Sequence, residues 1–372
     1  MKSLLIIPAF LIVFFTQAQE SDQSSHESQS FYNVQEYPQQ FKAKKPKNVV
    51  LLIGDGMGVA QMFAGMTANR GELYLNNFRH IGFSRTQSAN RYVTDSGAGG
   101  TAIATGHKAN NSSVGVDPDG NPVPSVIEVA KKNQLAVGVV VTTSLLDATP
   151  ADFVAHVPSR DMAEEIASEY VSSDLDVFIG AGRGPFINRK DGRNLVTELK
   201  EKGYQFCDTV TEIAKIKSGK IAGLLTEQRV NKRGDQLAVT TEVALNVLDQ
   251  NKKGFFLMVE GSKIDDGGHD HDVSYIVEEV LDLDQTIGKV LEFAAKDGET
   301  LVVVTADHET GGLTLVNGDM KTGKVTGRFT TGGHTGVMVP VFAYGPGAEA
   351  FMGIYENTSF FDKFIELLKL KK

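Results

Sequence analysis

A chain of 372 residues, 41% of them hydrophobic, is long enough for a large α/β domain and apolar enough to fill its core. Its formal charge of −9 argues against a nucleic-acid partner held through phosphate contacts. It does not exclude a small phosphate ligand, because bound metal ions dominate the field around them.

Residues 1–18 read as a signal peptide, with Lys2 as the positive start, Leu4 to Phe15 as the apolar core and Thr16-Gln17-Ala18 as a small-residue cleavage site. The apolar run falls short of the ~20 residues that span a bilayer. The expectation is export to a periplasm or beyond, with no membrane attachment after cleavage. Cys207 is the only cysteine, so such a protein must rely on its core and on bound metals rather than on a disulfide. Residues 19–45 are polar, rich in Gln, Ser and Glu, and without periodicity, which predicts a flexible leader ahead of a folded unit over 46–372.

From Asn48 the pattern is α/β. Val49 to Ile53 is a continuous apolar run closed by Gly54-Asp55-Gly56, the signature of a buried strand and a turn. Ala136 to Val141, Val177 to Ile179, Phe255 to Val259, Leu301 to Val304 and Val339 to Tyr344 repeat it. Continuous rather than alternating apolar runs suit a mostly parallel sheet covered by helices on both faces. Ile276, Val280, Leu283, Ile287, Val290 and Ala294 mark one face of a helix. Phe361, Phe364, Ile365 and Leu368 mark a C-terminal helix with Thr358 or Ser359 as its N-cap.

The chemistry-bearing residues gather where these runs end. Asp55, Glu260 and Asp307 each close or follow an apolar run, and in open α/β sheets the ligand crevice lies beyond the carboxyl ends of the strands. Asp265 and His269 are four apart, so one helical turn sets them on one face as a metal-ligand pair, and His334 can supply a third group. Asp307 and His308, with Asp55, form a second set. Any one of these acids alone reads as a turn residue or helix cap. His271, between Asp270 and Asp272, reads as solvated. Asp95-Ser96 opens a run of small residues that leads into a helix, where free N–H groups favour an anion. Ser96 there is either a plain N-cap or a nucleophile activated by a metal. Arg160 offers a planar fork that matches two phosphate oxygens, although alone it reads as a surface arginine.

Taken together, these segments resemble the alkaline phosphatases. The matching stretches are Gly54 to Gly58, Val93 to Ser96, Asp147-Ala148-Thr149-Pro150 through His156 to Arg160, Val259-Glu260-Gly261 through Asp265 to His269, Thr305 to His308, and Gly333 to Gly336. The resemblance covers roughly residues 47 to 372. It implies an alkaline-phosphatase-like three-layer α/β sandwich, a homodimer, and hydrolysis of phosphate monoesters through a phosphoserine at Ser96. It implies two zinc ions, one on Asp265, His269 and His334 and one on Asp55, Asp307 and His308. A magnesium would sit with Asp55, Thr149 and Glu260, with Asp147 reaching it through water. Arg160 would clamp the phosphate, oriented by Asp95. Two zincs about 3.5–4 Å apart hold the attacking and leaving oxygens of an in-line displacement, and an all-oxygen set suits magnesium.

The chain departs from the family pattern twice. Relatives carry Lys, His or Trp directly after the zinc-site aspartate, whereas this chain has Asp266, which predicts weaker phosphate retention and a stronger need for magnesium. Only a short stretch separates His308 from His334, where larger relatives insert a crown. A small hairpin around Asn317-Gly318 is expected instead. The rival readings are a phosphodiesterase or sulfatase with the same core, and a non-catalytic zinc-binding protein. Ser96 with Thr149 and Glu260 favours the monoesterase over the diesterases, which use Thr and lack the third metal site. The Ser96-Gly97-Ala98-Gly99 run does not match the sulfatase pattern.

Overall fold

The computed structural model describes residues 23–372, so the signal-peptide expectation for 1–18 lies outside the described residues. The strands are, in order, β1 (Gln23–Glu27), β2 (Asn48–Gly54), β3 (His80–Arg85), β4 (Ala136–Ser144), β5 (Val177–Ala181), β6 (Gln205–Cys207), β7 (Ile221–Leu224) and β8 (Phe255–Gly261). They continue with β9 (Thr300–Thr305), β10 (Glu309–Thr310), β11 (Thr314–Asp319), β12 (Lys324–Arg328), β13 (His334–Thr335), β14 (Val339–Tyr344) and β15 (Gly353–Glu356). Ten of them form the central sheet in the order β15-β3-β14-β9-β2-β8-β4-β5-β7-β6. Among these, β14 alone runs antiparallel to its neighbours. Each of the six apolar runs from Val49 onward is a strand of this sheet.

The runs are continuous because both faces are covered. Val49, Leu51 and Ile53 of β2 face one core, shared with the helices Ser96–Thr105 and Ser359–Leu368. Val50 and Leu52 face the other, shared with the helices Gln236–Leu248 and Val273–Asp297. The three-layer sandwich is therefore as expected. Thr358 does precede the C-terminal helix, but its side chain makes no capping hydrogen bond. None of the described helices is long and apolar enough to cross a membrane.

Two expectations change. Between His308 and His334 there is a hairpin, but its turn lies at 320–323. Asn317 and Gly318 belong to β11, beside a bulge. The segment expected as a flexible leader is also docked where it is described. β1 adds antiparallel to β12, pairing Gln23 with Arg328. Beyond it, Tyr32 stacks on Tyr74, and Phe41 meets Tyr344 edge-on. Four aromatic residues in a polar stretch supply the anchors that average composition concealed.

The strap's tightest anchor is polar. Asp284, buried on the long Val273–Asp297 helix, accepts hydrogen bonds from the Tyr32 hydroxyl (2.6 Å) and from the backbone N–H groups of Tyr74 (2.7 Å) and Leu75 (3.2 Å). Burial pushes its carboxyl up to about 7 despite these donors. The folded value lies above the unfolded one. The group's contribution to stability is thus fully present below about pH 4 and is lost as pH rises through about 7. In alkaline solution the fold holds a buried carboxylate, and Tyr32 is one of its three donors. Tyr32→Phe is therefore expected to lower unfolding free energy by about 1–3 kcal/mol at pH 8.5 and by less at pH 5, where the carboxyl is protonated. Urea unfolding at the two pH values checks this; equal losses would show that the hydroxyl does not serve the carboxylate.

Candidate active site

Strand register assembles the site. Ile53 of β2 lies level with Glu260 of β8 on one side and with Thr305 of β9 on the other. Asp55 and Asp307 each follow two residues later, so carboxylates from three adjacent central strands converge beyond the sheet. All three are buried. Burial, then repulsion from Asp307, raises Asp55 well above the ordinary carboxylate value. Burial, then Asp147, does the same to Glu260, and burial, then Asp265, pushes Asp307 up to about 6.

Two groups of ligand-type atoms form here. The atoms of Asp55, Asp307 and His308 lie within 4.8 Å of one another, and so do those of Asp265, His308 and His334. His308 Nε2 is 3.4 Å from Asp55 Oδ1 and 3.2 Å from Asp307 Oδ2. The short helix Ile264–His269 sets His269 Nε2 3.1 Å from Asp265 Oδ2, and His334 Nε2 lies 3.5 Å from Asp265 Oδ1. The residues of the second expected set are thus brought together. The first is assembled with His308 between the two groups, its ring stacked 3.6 Å from that of His334. His269 joins through Asp265 and stands 5.2 Å, ring to ring, from His334.

The histidines are already turned for metal. Nδ1 of His269 donates to the Gly332 carbonyl (2.7 Å), and Nδ1 of His334 donates to the Thr94 carbonyl (3.0 Å). That orients each ring and leaves its Nε2 facing the carboxylates, the usual arrangement behind a metal-bound imidazole. Burial holds His308 down to about 4 and also lowers His334, whereas the hydrogen bond to the Asp265 carboxylate raises His269 to about 9, so a metal there takes the place of its Nε2 proton. Asp55 Oδ1 and Asp307 Oδ2 have no hydrogen-bond donor among the described residues, and the same is true of Thr149 Oγ1 and Glu260 Oε2. Buried oxygens without donors are costly unless a cation completes them. The donor chemistry fits, with nitrogen and carboxylate at two groups and oxygen alone around Thr149 and Glu260.

Ser96 is the first residue of the Ser96–Thr105 helix, and the cap is Asp95, whose Oδ1 accepts the Ala98 N–H at 3.0 Å. The plain N-cap reading of Ser96 is therefore excluded. Its Oγ is free to lie 3.1 Å from His308 Nε2. The small residues of this helix are needed for approach. A Cβ on Gly99 would stand 3.0 Å from the Asp307 carbonyl oxygen, and one on Gly100 would stand 2.2 Å from Asp152 Oδ2. A cavity of about 500 Å³ lined by Tyr92, Thr94, Asp95, Asn111 and His334 opens beside the serine helix.

Asp147 caps the short Ala148–Ala151 helix that carries Thr149. It is also the close partner of Arg160, with Nη2 2.5 Å from Asp147 Oδ1. Asp95, expected to orient Arg160, lies at 3.9 Å and spends its second oxygen on the Ser112 N–H at 2.7 Å. Asp95 thus shapes the loop around the serine, and Asp147 holds the arginine. Asp266 has partners of its own. Its Oδ2 takes the Lys263 ammonium at 2.9 Å and the Tyr275 hydroxyl at 3.1 Å, so its charge is compensated. His271, read as solvated, stacks on Phe329 with ring centres 4.8 Å apart and bonds the Thr331 carbonyl. Sequence reasoning missed Thr310, whose hydroxyl bonds Asp265 and lies 3.2 Å from His308 Nδ1, tying the two groups together. Before Gly311-Gly312 it reads only as part of a turn.

The family model described as alkaline phosphatase matches residues 46–328. Alkaline phosphatase 4 of Bacillus subtilis (strain 168) is 34% identical, over 88% of this chain and 89% of its own. The alkaline phosphatase of Escherichia coli (strain K12) is 30% identical, over 88% of this chain and 87% of its own. The solved alkaline phosphatase from the Antarctic bacterium TAB5 superposes with a TM-score of 0.84 at 40% identity, covering 88% of this chain and 100% of that one. A mutant of the TAB5 enzyme, solved with Mg bound in its M3 site, is similar to this chain to the same degree, with a TM-score of 0.83 at 40% identity, over 89% of this chain and all of its own. The chain belongs to the alkaline phosphatase family of phosphomonoester hydrolases.

Proposed function

We propose that this chain is an exported phosphatase that transfers the phosphoryl group of a monoester first to Ser96 and then to water. The observation that supports it most is the Ser96 hydroxyl, uncapped and 3.1 Å from the imidazole that joins both ligand groups. Asp265, His269 and His334 would hold one zinc, and Asp55, Asp307 and His308 the other. Asp55, Thr149 and Glu260 would hold magnesium, with Asp147 reached through water. The Mg-bound relative supports a third site of this kind. When bound, such metals neutralise phosphoryl oxygens, lower the pKa of the serine hydroxyl and of water, and stabilise the leaving oxygen.

The chain's own groups do the rest. The start of the Ser96–Thr105 helix directs backbone N–H groups toward an incoming anion. Arg160, held by Asp147, presents its guanidinium to two nonbridging oxygens of the phosphoryl group and keeps it in line with Ser96 Oγ. Serine attack forms the Oγ–P bond as the ester oxygen departs, and water then cleaves that bond to release phosphate and restore the hydroxyl. The first 18 residues support export, and the family's habit supports a homodimer.

Removing metal from the purified protein with a chelator should abolish p-nitrophenyl phosphate hydrolysis at alkaline pH, and zinc with magnesium should restore it. Ser96→Ala should cut turnover by ~10³-fold or more while zinc content stays unchanged. Full turnover without Ser96, or hydrolysis of diesters only, would overturn the reading. Asp266→Lys sets a second ammonium beside Lys263 and is expected to strengthen inhibition by inorganic phosphate and to weaken the magnesium requirement. An unchanged phosphate inhibition constant together with an unchanged magnesium titration would show that position 266 does not reach the phosphate.

A further inference from the structure

The stretch 226–232, between β7 and the Gln236–Leu248 helix, is mostly exposed yet pinned at several points. Its far end is fixed by Arg233, whose buried guanidinium bonds Glu279 at 2.6 and 3.0 Å and Asp282 at 2.6 Å on the Val273–Asp297 helix. The same guanidinium donates to the Gln228 carbonyl at 3.0 Å. Nearer the site, Glu227 Oε1 lies 2.6 Å from Lys263 Nζ. Arg229 Nη2 lies 2.9 Å from Asp270 Oδ2, with its guanidinium 3.5 Å above the Tyr275 ring.

Lys263 and Asp270 are the residues that flank the Ile264–His269 helix at its start and its end. One loop therefore grips both ends of the helix that carries Asp265 and His269. That helix has six residues and no side-chain N-cap, so it is too short to hold its own geometry and depends on what surrounds it. We infer that loop 226–232 is a clasp that sets how firmly the Asp265, His269 and His334 group retains its metal, with Glu227 and Arg229 as positioning residues. The inference rests on the reading of that group as a zinc site.

The clasp carries its own salt dependence. Glu227, Arg229 and Asp270 have side chains 43%, 43% and 57% exposed, so their ion pairs are screened by added salt. Zinc-loaded full-length protein is mixed with an excess of the chromophoric chelator 4-(2-pyridylazo)resorcinol, and release is followed at low and at high salt. The wild type is expected to release its zinc in two phases, one of which quickens with salt. The pair Glu227→Gln with Arg229→Gln should speed that phase by about threefold or more at low salt, the scale of an exposed ion pair, and remove its salt dependence. The other phase should not change. Arg229→Lys beside native Glu227 keeps the charge facing Asp270 and should release zinc nearly as slowly as the wild type. Identical release in all variants overturns the clasp and leaves the zinc reading standing, whereas a wild type that binds no zinc sinks that reading itself. Acceleration of both phases alike, with a lower unfolding midpoint for the metal-free variant, would make the loop merely structural and also overturn the proposal.

Discussion

Repulsion among buried carboxylates is the constraint on which the rest of this structure depends. Glu260 near the end of one central strand, and Asp55 and Asp307 just beyond the ends of its two neighbours, converge on one spot, with Asp265 facing them. Without cations, such a cluster favours protonation or opening of the site. The parallel register imposes the closeness, since a one-residue slip would turn Glu260 to the other face of the sheet. The histidine orientations set by the Gly332 and Thr94 carbonyls, and the oxygens left without donors, are what a site awaiting positive charge requires. The affinity for cations and the standing cost of leaving them out arise from the same atoms.

The long Val273–Asp297 helix ties this cluster to distant parts of the chain. It packs one apolar face on the sheet and yet buries Glu279, Asp282 and Asp284. Each acid has its partner on another segment, Arg233 for the first two and the Tyr32 hydroxyl for the third. The helix thus serves as a common wall onto which the N-terminal strap and the 226–232 loop are both fastened. Removing a buried partner is costly because the surviving charge keeps its desolvation penalty.

Much of this was legible in the sequence where side-chain pattern and structure share one cause. A strand buried on both faces must be apolar throughout, so β2, β4, β5, β8, β9 and β14 announced themselves. The four-residue spacing of Asp265 and His269 gave their shared face. Elements held by backbone pairing did not announce themselves. The Gln23–Glu27 strand contains no apolar residue and is defined by its ladder with β12. The hairpin turn was misplaced because Asn317-Gly318, a strong turn signal, lies inside a bulged strand. Asp147 as the arginine's partner depends on loop geometry that no local pattern encodes, whereas Lys263 and Asp266 are three residues apart on one helical turn and their pairing was open to reading.

The strap has a consequence for the order in which the molecule can become itself. Gln23 pairs with Arg328, and Tyr32 bonds a carboxylate 252 residues away. The first described strand therefore has its ladder partner only near the far end of the chain. Contacts of such separation pay their loop-closure entropy late. A segment near the start of the described chain is thus held only by partners that lie far along it, so its docking requires those later elements to be in place.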